Sequence, residues 1–306
     1  MILSVLLFLI IVSIAYLGLE LSSKTVLRPD TNQVSILKNL SNFIEFTLHL
    51  TPRPDDRKTI EADLELYSDK YLLLEVDSRK VLYGKKINEK MYPASLTKLV
   101  ALDLVLSSDL SLQSTASFSY QQRSELIAQN ASLAYLKAET AYSIRDLLYG
   151  LILPSGADAE AALGNVIDLD AGYTELAQRL RLIDSNFVNY NGLHDDEHYS
   201  TLMDIATVVL DVINKNPEFI KTMEHTCEDG TVLRSTLASL SKANYAEVYG
   251  GKTGYTGQAG ENLLVYFNLE GKDYLLLLAN APGNPYLGQY YHFADFYTFE
   301  EFLRTK

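Results

Sequence analysis

The chain opens on an unbroken apolar run, MILSVLLFLIIVSIAYLGL, with no charged residue in positions 1–19. About 20 apolar residues make a helix long enough to cross a bilayer, so residues 1–20 are expected to form a transmembrane anchor. No basic stretch precedes the run and no small-residue cleavage site follows it, which favours a retained anchor over a removed signal peptide. Val34, Leu37, Leu40, Ile44 and Leu48 then recur at helical spacing, the pattern of an amphipathic helix. The prolines and charges of TPRPDDRK, residues 51–58, break that pattern and read as a linker. Residues 21–59 are therefore expected to be a helix and linker, and residues 60–306 the globular body.

Within the body the period of the pattern changes twice. KYLLLEVDSRKVLYGK holds two strand-like runs on either side of the turn-prone DSR, a hairpin. Helical spacing follows: Ser143 and Asp146 form a capped start for SIRDLLYGLIL, and residues 159–167, 173–182 and 201–213 carry the same period. Strand patterns return in YAEVYGGKTGYTG, ENLLVYFNLEG and KDYLLLLANAP, joined by glycine-containing turns. The aromatic, roughly amphipathic segment 286–304 reads as a helix covering a sheet face. Strands at both ends with helices between them imply a mixed α+β layer fold.

Composition narrows the function. A net charge of -13 argues against a protein that grips nucleic-acid phosphates, because that task needs a basic face. The single Cys227 excludes an intrachain disulfide.

Three short motifs carry chemistry. In YPASLTKLV, Ser95 precedes Lys98 by three residues at a helix start, which puts both side chains on one face about 5–6 Å apart at Cβ. Pro93 holds Tyr92 extended, so the helix is expected to begin at Ala94 or Ser95 with free N–H groups beside the serine, one of which can serve an oxyanion hole. SILK, Ser35 to Lys38, repeats the spacing, so the pair alone identifies nothing. KTG, residues 252–254, lies in a glycine-rich strand where a peptide could pair by strand addition, with Lys252 and Thr253 offering a charge and a hydroxyl to a terminal carboxylate. The competing reading is a glycine-rich hairpin with an exposed lysine. In LPSGADAEAAL, Ser155 precedes a helix, and with Asp158 three residues on it reads most simply as an N-cap. HDDEH, residues 194–198, spaces two histidines as a zinc site could, although the preceding NYNGL favours a loop. His225 and Cys227, two apart, would not face each other on a helix.

Co-occurrence separates these readings. Ser95, Ser155 and Lys252, spaced by 60 and 97 residues, resemble the Ser-x-x-Lys, Ser-x-Asn and Lys-Thr-Gly set of penicillin-interacting serine enzymes. MYPASLTKLVALDLVL, YLKAETAYSIRDLLYGLILPSGADAEAAL, FVNYNGLHDDEHYSTLMDIA and GGKTGYTGQAG look like the low-molecular-weight serine D-alanyl-D-alanine carboxypeptidases, with similarity running between residues 62 and 283.

The resemblance implies a β-lactamase/D,D-peptidase-like fold: an antiparallel sheet flanked by helices, with a helix-rich lobe. It implies that Ser95 attacks the peptide bond between the last two D-alanines of a peptidoglycan stem peptide, with Lys98 as base and Ser155 relaying a proton. Lys98 must then be neutral, against an ordinary lysine pKa of about 10.4, and burial beside Lys252 would lower it. The backbone N–H groups of Ser95 and Tyr255 would form the oxyanion hole. Lys252, Thr253, Gly254 and Thr256 would line the carboxylate end of the substrate. No cofactor and no metal are implied. β-Lactams would be covalent inhibitors.

Two departures stand out. Ala157 occupies the place of the motif asparagine, and no arginine closely follows Lys252. A non-catalytic cell-wall-binding relative is the alternative that Ala157 raises. A β-lactamase is another, with Glu175 or Glu197 as the acid to direct a water. Cell-wall peptide as substrate would place the body outside the membrane, against the weak opposite indication of Lys24 and Arg28 just after the apolar run.

Overall fold

The computed structural model describes residues 51–306. The expected anchor, the amphipathic helix and the SILK pair lie outside the described residues. Among the described residues, no helix is long and apolar enough to cross a membrane.

The first elements are β1 (Lys70–Glu75), β2 (Lys80–Lys85), α1 (Thr97–Ser107), β3 (Thr115–Ala116), α2 (Tyr120–Ala128) and β4 (Tyr142–Ser143). The helical middle continues with α3 (Ile144–Ile152), α4 (Ala157–Gly164), α5 (Leu169–Leu180) and α6 (Leu202–Lys215). Then come β5 (Glu224–Thr226), β6 (Val232–Arg234), β7 (Glu247–Thr256), β8 (Gly260–Leu269), β9 (Lys272–Ala281) and α7 (Tyr291–Arg304). Five strands form one antiparallel sheet in the order β2-β1-β9-β8-β7, so strands from both ends of the sequence meet at β1 and β9. This is the expected α+β arrangement.

The central strands are apolar on both faces. Leu72, Leu74, Leu264, Leu275 and Leu277 enter the large core shared with the helices, while Tyr71, Leu73, Val265, Leu276 and Leu278 enter a second core under α7. Alternate residues of a strand point to opposite faces, so two covered faces require the unbroken leucine runs seen in β1 and β9. α7 closes the second core with Phe296 and Phe299, whose rings stand edge-on to Phe267 at 5.5 Å and Tyr71 at 5.2 Å. It starts at Tyr291, later than residue 286, because Pro285–Leu287 form a short 3-10 turn ended by the left-handed Gly288.

Residues 51–58 have no helix or strand of their own, as the prolines dictate, yet they are packed as part of the body. Arg53 pairs with buried Asp204 at 2.6 Å, and Asp55 exchanges backbone hydrogen bonds with Arg79 and Val81. The compact unit begins at Thr51, nine residues before the expected start at residue 60. A charged cluster fixes α1 against its neighbours. Lys215 of α6 sits 2.5 Å from both Asp103 and Asp211, and Arg179 of α5 lies 2.9 Å and 2.8 Å from the same two carboxylates. Burial first, then the neighbouring Asp211 charge, pushes the Asp103 carboxyl up to about 7. Replacing buried Phe296 by alanine should cost about 3–5 kcal/mol through transfer and cavity terms. Urea unfolding of the two proteins side by side measures that difference.

Candidate active site

Ser95 lies in a single 3-10 turn, Ala94–Leu96, and α1 starts only at Thr97, two or three residues beyond the expected start at Ala94 or Ser95. The turn is strained: Ala94 takes φ 48°, a left-handed conformation that alanine adopts at a cost. Several contacts hold it there. The Thr97 hydroxyl donates to the Ala94 carbonyl at 2.8 Å, and buried Asn262 of β8 donates to the carbonyls of Tyr92 and Pro93 at 2.9 Å and 3.3 Å.

Two glycines lean on the same turn. A Cβ on Gly192, at φ +76°, would lie 2.1 Å from the Ala94 carbonyl oxygen. A Cβ on Gly254 would lie 2.9 Å from the Pro93 oxygen and 3.2 Å from the Ser95 nitrogen. The third residue of the Lys-Thr-Gly triplet is thus a contact requirement. It lets the edge strand β7 run against the serine's backbone.

The two motif lysines are buried close to one another. Ser95 is half-buried, and Lys98, the second residue of α1, is 2% exposed with its Nζ donating to the Asn191 carbonyl at 2.8 Å. Lys252 is 0% exposed. It pairs with Leu264 across the sheet, which turns its side chain toward the helical core, and its Nζ donates to the Thr253 carbonyl at 2.7 Å. Burial lowers the pKa of both lysines, and the Lys98 charge pushes Lys252 lower still. The exposed-lysine reading of KTG is therefore excluded.

Ser155 is buried at φ 65°, and its Oγ has no hydrogen-bond partner. It is not the helix cap that its sequence suggests: α4 begins at Ala157 with Gly156 in the cap position and no side-chain cap. Asp158 instead accepts the Ala134 and Leu136 N–H groups, pinning the facing loop. The serine is held in a costly backbone conformation with its hydroxyl uncommitted. The remaining expected residues line β7. The Thr253 hydroxyl donates to Thr236 at 2.8 Å, the Thr256 hydroxyl oxygen accepts from Ala259 N–H in the β7–β8 turn, and Tyr255 stands edge-on to Tyr286.

Sequence reasoning missed Glu160. It lies in the first turns of α4, 1% exposed, with Oε2 3.9 Å from Lys98 Nζ and neither oxygen hydrogen-bonded. Burial pushes its carboxyl up to about 8 while both lysines pull the other way. Glu175 and Glu197, the acids weighed from sequence, are exposed.

The two rival motifs resolve differently. His198 Nδ1 accepts the Val188 N–H at 3.2 Å and its Nε2 lies 2.8 Å from Thr97 Oγ1, so both nitrogens are committed to bracing the serine turn. His225 and Cys227 flank the end of strand β5, where residues two apart share a face, and their ligating atoms lie with Asp146 within 4.8 Å of one another. The helical geometry assumed for that pair does not occur. His225 Nε2 is 2.6 Å from Asp146, and burial pushes the Cys227 thiol up to about 12, so it stays a neutral, unreactive group.

A serine at the head of a helix, a buried lysine one turn on, a buried serine with an uncommitted hydroxyl and a second buried lysine on an edge strand are the parts that a serine–lysine acyl-transfer site would need. The sequence model of the D-alanyl-D-alanine carboxypeptidase family matches residues 56–281. The chain belongs to that family of serine peptidases. It is 27% identical over 216 residues to the D-alanyl-D-alanine carboxypeptidase DacF of Bacillus subtilis (strain 168), covering 68% of this chain and 55% of that protein. It is 28% identical over 213 residues to DacA of Haemophilus influenzae, covering 65% and 53%. The chain thus spans about half the length of these curated relatives. In fold it is similar to the Streptomyces K15 DD-transpeptidase, with a TM-score of 0.65 at 23% identity over 73% of this chain and 94% of that one. Penicillin-binding protein D2 of Listeria monocytogenes, in its cefotaxime-bound form, gives 0.60 at 23% over 72% and 92%.

One pH dependence follows from His198, whose pKa burial lowers to about 4 from 6.5. The unfolded chain binds this proton more readily, so stability should fall as pH drops from 6.5 toward 4, by about 3 kcal/mol at most from this group. Urea midpoints measured across that range should show a shallower loss in His198→Asn than in the parent.

Proposed function

We propose that the chain is a serine D-alanyl-D-alanine carboxypeptidase acting on peptidoglycan stem peptides. The observation that carries this reading is the burial of two lysines of lowered pKa around a half-exposed serine. Ser95 Oγ attacks the carbonyl of the penultimate D-alanine while its proton passes to the neutral Lys98 amine. The oxygen that gains charge is stabilised by the N–H groups of Ser95 and Tyr255. Ser155 carries the proton on to the nitrogen of the terminal D-alanine, the C–N bond breaks and D-alanine leaves. Water then hydrolyses the ester on Ser95. Lys252, with Thr253, Gly254 and Thr256 along β7, receives the terminal carboxylate, and it does so without a neighbouring arginine.

Ala157 removes the side-chain amide that would hydrogen-bond the substrate's backbone, so turnover depends more heavily on pairing with the edge strand β7. A β-lactam presents a strained amide and a carboxylate in one molecule, and it acylates Ser95 by the same path. Residues 1–19 anchor the protein in the membrane with the body on its outer side, where the stem peptide is. Release of D-alanine from a D-Ala-D-Ala pentapeptide should fall roughly 10^4-fold in Ser95→Ala and Lys98→Ala, since members of such a unit fail together. Release that survives Ser95→Ala would refute the assignment. Rapid penicillin turnover without D-alanine release would instead identify a β-lactamase, and neither reaction would leave a binding protein.

A further inference from the structure

Glu160 lies deep in the reaction centre, and the acyl-transfer scheme gives it no task. Its carboxylate is 1% exposed, no N–H or O–H group reaches either oxygen, and the nearest charge is Lys98 Nζ at 3.9 Å. A bare buried carboxylate is costly to keep, because burial penalises the charged form. Among the described residues, the charged groups that face it are Lys98 from α1 and Lys252 from β7. On its own helix, Asp158 also acts on Lys98, but its carboxylate is occupied by the Ala134, Leu136 and Ala159 N–H groups. The loop beside Lys98 offers it only the Asn191 carbonyl.

These three groups set a charge balance. Two lysines and one glutamate in a water-excluded pocket are electrically neutral when they hold one proton in all. With none the pocket carries one negative charge, and with two it carries one positive charge. Without Glu160 the neutral state would hold no proton, and Lys252 would have no charge to offer a carboxylate. We propose that Glu160 is a positioning residue that keeps one proton in the pocket, shared among Lys98, Lys252 and Glu160. When the substrate's carboxylate arrives, the proton settles on Lys252, and Lys98 is left as the free amine that accepts the Ser95 proton. The carboxylate thereby supplies, through the lysines, a polar partner in a motif that has lost its side-chain amide at Ala157. Burial drives the Glu160 carboxyl up and both ammonium groups down, which brings their titration ranges together as sharing requires.

The inference rests on the carboxypeptidase reading for its consequence but not for its test. In the wild-type protein, the lysine 13Cε and glutamate 13Cδ resonances, assigned by single substitutions, are followed across pH. The three groups should together retain one proton near pH 7, and a total of none or two overturns the proposal. In Glu160→Gln the lysine midpoints should fall by about one pH unit or more, because the anion that favoured their charged forms is gone. Glu160→Asp should restore part of the shift. Unchanged lysine midpoints in a folded Glu160→Gln protein also overturn it. On a peptide ending in a carboxylate, Glu160→Gln should raise KM about tenfold while kcat changes less, the signature of lost carboxylate binding. If one proton is retained but no D-alanine is released and no penicillin is bound, the carboxypeptidase reading fails and the charge balance stands.

Discussion

Two lysines without solvent are the constraint on which the rest of the structure depends. Lys98 and Lys252 come from distant parts of the sequence, one from the first helix and one from an edge strand of the sheet, and both are buried beside Glu160. A buried ammonium is penalised and two are penalised more, so gathering them lowers the pKa of both lysines. Every other element serves that gathering. The charged cluster of Asp103, Asp211, Arg179 and Lys215 fixes α1, the two apolar faces of the sheet fix β7 through β8, and α7 seals the face away from the chemistry.

Ser95, the proposed nucleophile, is placed by backbone contacts more than by side chains. Gly192 and Gly254 approach the turn of Ser95 so closely that no Cβ fits at either position. Asn262 and the Thr97–His198 pair brace it from two further sides. Ala94, next to Ser95, and Ser155 are held in left-handed conformations. Local strain of this kind persists only where surrounding structure over-determines it, and it concentrates where function needs fixed geometry.

The architecture was readable in the sequence where periodicity decides it. The β1–β2 hairpin, the capped α3 and the three C-terminal strands follow from alternation, capping residues and glycine turns. The motif residues were readable because their chemistry is conspicuous at fixed spacing. What was hidden depends on long-range contact. Glu160 sits among alanines at the start of a helix, where an acidic residue ordinarily complements the helix dipole, and only the approach of Lys98 sets it apart. The tethering of residues 51–58 depends on Asp204, more than a hundred positions away, which no local pattern reveals. Ser155 looked like a cap because its neighbours suit one, and only its backbone angle shows otherwise. His225 and Cys227 came together because the segment is a strand and not a helix.

Ala157 moves the question from identity to efficiency. Ser95, Lys98 and Lys252 carry the proposed nucleophile, base and second lysine, while position 157 offers no side-chain amide to hold the substrate. The central claim is that this arrangement makes Ser95, and no other residue, the acyl acceptor. Peptide mapping of the protein after brief exposure to a penicillin tests it most directly. The account predicts the mass of the opened β-lactam on the peptide carrying Ser95, and its absence when Lys98 is replaced by alanine. An adduct on any other residue, or an unmodified Ser95 peptide in the intact protein, would contradict it.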